Sequence, residues 1–230
     1  MVYIGLNGSK VTDYLRYRLY MPLAFLRLIY MNMMRIDRTH QRCIFLPSRH
    51  AVLDIAKSAK VKLDHSVIFG WCNMKYSRME TALCMAEGSS LNWGGVDSDA
   101  VELVGYGSYI QIGRNASLSI GNSFINREVK IICNKQITIG NGCVIAMGVV
   151  IRDNDGGQHQ IIDENYTNQK PITISDNVWI GENSMVLKGV TIGEGSVIAA
   201  SSLVTKDVPP HCIAAGSPAK VIKKDISWKA

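Results

Sequence analysis

From Ile174 onward an aliphatic residue returns at every sixth position. Ile174, Ile180, Val186, Ile192, Ile198 and Val204 lead the units ISDNVW, IGENSM, VLKGVT, IGEGSV, IAASSL and VTKDVP. The fifth place of these units is Val178, Ser184, Val190, Ser196, Ser202 and Val208, always small or β-branched. A period of six matches neither the 3.6 of a helix nor the simple alternation of a long strand. It fits a triangular coil in which each unit supplies one short strand and one corner. Three units close a turn, and stacked turns bury an aliphatic column while parallel ladders satisfy the backbone. The same beat runs through IGNGCV, IAMGVV and IRDNDG, led by Ile139, Ile145 and Ile151. A looser version spans Val101 to Ile137, and residues 51–69 (AVLDIAKSAKVKLDHSVIF) read as an earlier turn. Residues 70–100 show no register.

Residues 1–50 follow another pattern. Leu15, Leu19, Leu23, Leu26, Tyr30 and Met33 share one face of a helical wheel, with Arg16 and Arg27 beside it. Pro22 lies inside this run and costs about 3 kcal/mol in a continuous helix, so two pieces or a kink are expected. Two placements fit this amphipathic segment: a cap on the open end of the coil, or a helix lying peripherally on an anionic membrane surface.

Composition adds constraints. Hydrophobic residues make up 47% and aromatics 7%, a profile of short strands and tight turns. The formal charge of +6 favours an anionic partner. None of the six cysteines forms a CxxC pair, and several sit in aliphatic runs, so a reducing, cytoplasmic setting is expected. No run of about 18 apolar residues offers a membrane span. LYMPLAFL is too short, and no small-residue cleavage site follows it. Neither GxxxxGK[ST] nor GxGxxG occurs, and the basic residues do not interleave with aromatics, so nucleotide-triphosphate, dinucleotide and nucleic-acid binding are not expected.

The run NVWIGENSMVLKGVTIGEGSVIAASSLVTKDVPPHCIAAGSPAKVIKK resembles the C-terminal half of the hexapeptide-repeat acyltransferases. The likeness is close from Asn126 to Lys224, weaker over 51–125 and absent before that. The nearest in character are bacterial sugar and polysaccharide O-acetyltransferases. The resemblance implies a mainly β fold, a left-handed parallel β-helix over residues 51–217. An N-terminal helical segment would precede it over 1–50 and a short tail would follow over 218–230. It also implies a homotrimer, acetyl-CoA as co-substrate without a metal, and a saccharide or glycolipid acceptor. The setting would be capsule, exopolysaccharide or lipopolysaccharide assembly, in the cytoplasm or peripheral at the inner face of the membrane.

One stretch breaks the beat. RDNDGGQHQII, Arg152 to Ile162, places acids, two glycines and His159 between regular units. A coil wall has no cleft of its own, so reactive groups must project on a loop, here residues 153–170. Transfer of an acetyl group to a hydroxyl needs a base, and a positioned histidine supplies one. The family carries its catalytic histidine on a loop at this place, which implies that role for His159. Asp153 and Asp155 are both candidates to orient the imidazole. The spacing from Asp155 to His159 is longer than the family's usual one. His40, His50 and His65 carry no motif, and His211, after Pro209-Pro210, reads as structural.

Further roles come from the resemblance alone. Asn126 falls where sugar-acetylating relatives place an asparagine near acceptor and thioester. Trp179 matches a tryptophan lining the groove by the pantetheine arm. Ala200, Thr205 and Lys206 match donor-binding positions, and Lys220 and Lys223 match basic residues near the nucleotide phosphates. N-acetylation of an amino sugar or antibiotic-like molecule would use the same base. A non-catalytic scaffold is a further alternative. The carbonic anhydrases built on this coil need three convergent histidines, and the repeats with their loop offer His159 alone.

Overall fold

A computed structural model describes residue 32 and residues 36–38, 43–48, 51–71, 79–94, 101–156, 162 and 166–229. The strands fall into three sheets, and up to Leu203–Val204 each strand pairs with the third one before or after it in sequence, the last two joining the end of the second sheet. The first sheet runs from Ile36–Arg38 to Thr191–Ile192, the second from Phe45–Pro47 to Ala219–Lys223, and the third from Ala51–Ile55 to Leu203–Val204. All pairings are parallel except the last, so the chain winds as a triangular prism.

The first-place aliphatics stack in register along the three inner walls. One column is Ile120, Ile139, Ile174 and Ile192; a second is Ile125, Ile145, Ile180 and Ile198; a third is Ile110, Ile131, Ile151, Val186 and Val204. All are buried. Burying one such side chain contributes roughly 1.5–3 kcal/mol, so these columns dominate the stability of the coil. The fifth place is small for a second reason. Ser184 and Ser196 are buried, and each hydroxyl donates to a carbonyl one turn on, Ala199 at 2.9 Å and Pro209 at 2.7 Å. Corners also demand left-handed backbone. Gly142 (φ 65°) and Asn177 (φ 54°) stack on neighbouring turns, and a Cβ on the glycine would strike the asparagine side chain.

Two expected boundaries move. Ile36–Arg38 and Phe45–Pro47 pair parallel with Lys60–Leu63 and Ser66–Trp71, so the coil starts before residue 51 and part of the expected helical segment is strand. The helical face from Leu15 to Met33 lies outside the described residues. Residues 218–230 are not a free tail. Ala219–Lys223 folds back antiparallel on Ile213–Gly216, and the amide of Ile226 donates to the carbonyl of His211 at 2.9 Å. The register missing over 70–100 is supplied by Ser66–Trp71, Thr81–Met85 and Ser90–Trp93, with Leu53, Leu83 and Ile110 aligned and Leu91 opposite Leu118.

The outer faces differ in polarity. The first carries the row Lys62, Asn92, Ser119, Thr138, Thr173 and Thr191. The second carries Phe124, Val144, Trp179, Val197 and Ile213. The third carries Val52, Ala82, Tyr109, Lys130, Val150, Met185 and Leu203. The first face is polar and the row on the second is apolar, while the third mixes apolar residues with Asp54, Gln111, Lys130 and Arg152.

Candidate active site

The loop that breaks the coil leaves the corner between the third and first faces, after Val150–Arg152, and returns at Ile172–Ile174. Its base is a short antiparallel neck. Asn154 bridges Gln169, the amide of Asp155 donates to Asn168 at 3.1 Å, and the amide of Lys170 donates to Asp153 at 3.0 Å. His159 lies outside the described residues, in the span this neck supports.

The two candidate carboxylates have different surroundings. Asp153 is fully buried, and its oxygens accept from the amides of Asn134, Lys135 and Gln136 at 2.7–2.8 Å and from the side chain of Asn154 at 3.0 Å. The three backbone amides tie the loop to the corner of the preceding turn. Asp155 sits higher. Its Oδ2 accepts from Lys188 Nζ at 2.5 Å and from the hydroxyl of Tyr166. Burial pushes the Asp155 carboxyl up, but the hydrogen bonds and charge of Lys188, with Tyr166 and Arg152, outweigh it and hold the group below its ordinary range. Asp153 therefore anchors the loop, and Asp155 faces its returning strand.

The remaining predicted residues divide between two edges of the prism. Thr205 and Lys206 are exposed on the corner from which the loop springs, two turns further along. Asn126 and Ala200 stand on the corner between the second and third faces. Asn126 accepts the amide of Arg127 on its own side-chain oxygen at 2.7 Å, a local turn contact. Gly105 packs beneath it, where a Cβ would meet the backbone at 2.6 Å from Arg127. Trp179 projects from the second face, 42% exposed, with its ring 5.9 Å from that of Trp228. Lys220 and Lys223 are exposed on the last strand of that sheet. The fold brings Asn126, Ala200 and Trp179 to one side and the loop, Thr205 and Lys206 to the other, with the third face between.

A groove of about 630 Å³ runs along the corner between the first and second faces, lined by Asp176, Glu194, Asp207 and Pro210 among others. It holds none of the predicted site residues. Asp176 and Asp207 each accept a backbone amide, from Asn141 and Thr191 at 2.7 Å, so these carboxylates shape corners. Sequence reasoning missed Lys188, Tyr166 and Trp228. Lys188 alone carried a signal, as a charged residue in the repeat that immediately follows the loop's return.

Known proteins point the same way. A family profile described as "Bacterial transferase hexapeptide (six repeats)" matches residues 171–206, and "Hexapeptide repeat of succinyl-transferase" matches 137–152. These matches make parts of the chain similar to the hexapeptide-repeat acyltransferases. It is 41% identical over 120 residues to the galactoside O-acetyltransferase of Escherichia coli K12, covering 52% of this chain and 56% of that one. It is 44% identical over 126 residues to the polysialic acid O-acetyltransferase of Escherichia coli O1:K1, covering 53% and 38%. The chain thus spans about half or less of these two relatives' lengths. The crystal structure of the polySia-specific acetyltransferase NeuO superposes with a TM-score of 0.51 at 29% identity, covering 85% of this chain and 88% of that one.

Proposed function

We propose that this protein is an acetyl-CoA-dependent O-acetyltransferase that moves an acetyl group to a saccharide hydroxyl, with His159 as general base. The observation that carries this reading is the break after Arg152 in the regular C-terminal repeats, a loop anchored through Asp153 and bearing that histidine. In direct transfer, the imidazole takes the hydroxyl proton as the oxygen attacks the thioester carbonyl. The thiolate leaves and is protonated to free CoA. Asn126 stands by the acceptor and thioester, and Trp179 and Ala200 by the pantetheine arm. Thr205, Lys206, Lys220 and Lys223 attend the donor, where the lysines act as point charges toward phosphate. The resemblance to the hexapeptide-repeat acyltransferases implies a left-handed winding. The acceptor class follows the names of the relatives, a galactoside and a polysialic acid enzyme. It fits a cytoplasmic role in capsule, exopolysaccharide or lipopolysaccharide assembly.

The site needs more than one copy. Loop and Asn126 stand on different edges of one chain, and the apolar second face with the apolar stretch Val150, Met185 and Leu203 of the third is the kind of surface that protein partners cover. A homotrimer that packs these faces would bring the loop edge of one copy to the Asn126 edge of the next. Among the described residues no helix is long and apolar enough to cross a membrane. Peripheral membrane contact through residues 1–50 is retained as part of the proposal.

The test is an acceptor panel with acetyl-CoA, read as free thiol release, containing galactosides, oligosialic acid and amino sugars. Release with an ester product on a saccharide is expected. Release only on amines would overturn the O-acetyl assignment, and none on any member of the panel would overturn the saccharide acceptor.

A further inference from the structure

The neck of the loop is held from two directions. From below, the carboxylate of Asp153 is fastened to the corner amides of the preceding turn. From above, Lys188 reaches down from the corner of the following turn and touches both strands of the neck. Its Nζ donates to Asp155 Oδ2 at 2.5 Å on the outgoing strand and to the carbonyl of Thr167 at 2.7 Å on the returning one. The same ammonium stands 4.0 Å over the ring of Tyr166, whose hydroxyl also donates to Asp155 Oδ2. The backbone beside it joins in, since the amide of Gly189 donates to Lys170 and Pro171. Arg152 holds the outgoing strand from within, with Nε 3.0 Å from the carbonyl of Asn154.

We propose that Lys188 is the positioning residue of this loop, fastening its outgoing and returning strands together so that the base four residues beyond Asp155 is presented in one place. The inference rests on the acetyltransferase reading above. Lys188 touches neither donor nor acceptor in this scheme; it acts through the loop.

The chemistry of the contacts supports this role. An isolated exposed lysine–carboxylate pair contributes little. Here one cation has three partners supplied by both strands, its side chain is only 16% exposed, and the aromatic ring beneath it shields the pair from water. Such a contact changes local opening of the neck far more than global unfolding, because the neck stands outside the aliphatic columns. Misplacing a reactive group by about 1 Å costs up to about 10²-fold in rate.

The experiment compares Lys188→Met, Lys188→Arg and Tyr166→Phe with wild type in the full-length protein. Methionine keeps length and contact with the ring but loses the charge and both hydrogen bonds. For Lys188→Met, kcat on an accepted saccharide should fall about 10- to 100-fold, while the acetyl-CoA KM stays within about twofold. Lys188→Arg should recover most of the loss, and Tyr166→Phe should fall between. Unchanged kcat in Lys188→Met, or an equal loss in Lys188→Arg, overturns the proposal. Amide hydrogen exchange over 153–156 and 166–170 gives a readout that needs no substrate. Faster exchange there, with the coil amides unchanged, is expected in Lys188→Met. Unaltered exchange refutes the pin even if no acceptor is found, and faster exchange without any activity in wild type sinks the acetyltransferase reading alone.

Discussion

Between Val144 and Val204 each strand is two or three residues long, and the interior is isoleucine and valine with little else. Between Ala51 and Gly105 the strands run four to six residues, and the interior holds Phe69, Trp93, His65 and Glu102. Both regions build the same three sheets, with a register shift between Phe69 and Trp71 in the second. Longer strands make a wider turn, a wider turn needs larger side chains to fill it, and the added residues destroy the period of six. Regularity in the sequence thus reports how narrow the coil is, and the coil itself persists without it.

Removing a large interior side chain from the wide region should have the biggest effect on stability. Trp93→Ala is expected to cost about 3–5 kcal/mol and Ile180→Ala, in the narrow region, about 2–5 kcal/mol, read by denaturant unfolding. If Trp93→Ala cost under about 1 kcal/mol, the wide turn would be loosely packed and the comparison would fail. Gly181→Ala places a methyl group 2.6 Å from the amide of Ala200 on the next turn, so it should lower the thermal midpoint although alanine is otherwise favourable. An unchanged midpoint would mean the narrow turns have slack.

The wide region carries a pH effect of its own. Burial pushes the Glu102 carboxyl well above its ordinary range, offset in part by the indole of Trp93 and the backbone of Ser123. His65 Nε2 lies 3.5 Å from its Oε1. An acid with a raised folded pKa binds more protons folded than unfolded, so stability falls as pH rises from the ordinary glutamate value toward the folded one. Glu102→Gln should remove that fall and be the more stable protein at neutral pH. A wild-type midpoint that rises across the same window would reverse the sign and contradict the account. The smallest effect is expected outside: Thr173→Ala, on the polar face, should change stability by about 0.5 kcal/mol or less.

The narrow turns could be read directly from the chain because each first-place aliphatic points inward and each corner needs a small or left-handed residue. The turns over 70–100 could not, since strands such as Ser66–Trp71 carry interior residues at a spacing of two within a rung of six. His65 carries no motif in the sequence, and only the fold puts it beside Glu102 in the interior. At the loop, the break and its histidine stand out as a departure from rhythm. The division of labour between Asp153 and Asp155 does not, because three amides from another turn surround one and a lysine from a later turn reaches the other. Trp228 was hidden for the same reason: well past the last repeat, which ends at Pro209, it returns to Trp179 through an antiparallel strand.

The central claim is that the interruption of the coil exists to carry a base. Its most direct test is thiol release from saturating acetyl-CoA on a saccharide acceptor by wild type and His159→Ala, side by side, with donor binding measured for both. The substitution should lower turnover about 10²–10⁴-fold while acetyl-CoA binding and the unfolding midpoint hold, because the residue lies on the loop and outside the aliphatic columns. Equal release by the two proteins would place the base elsewhere and contradict the account.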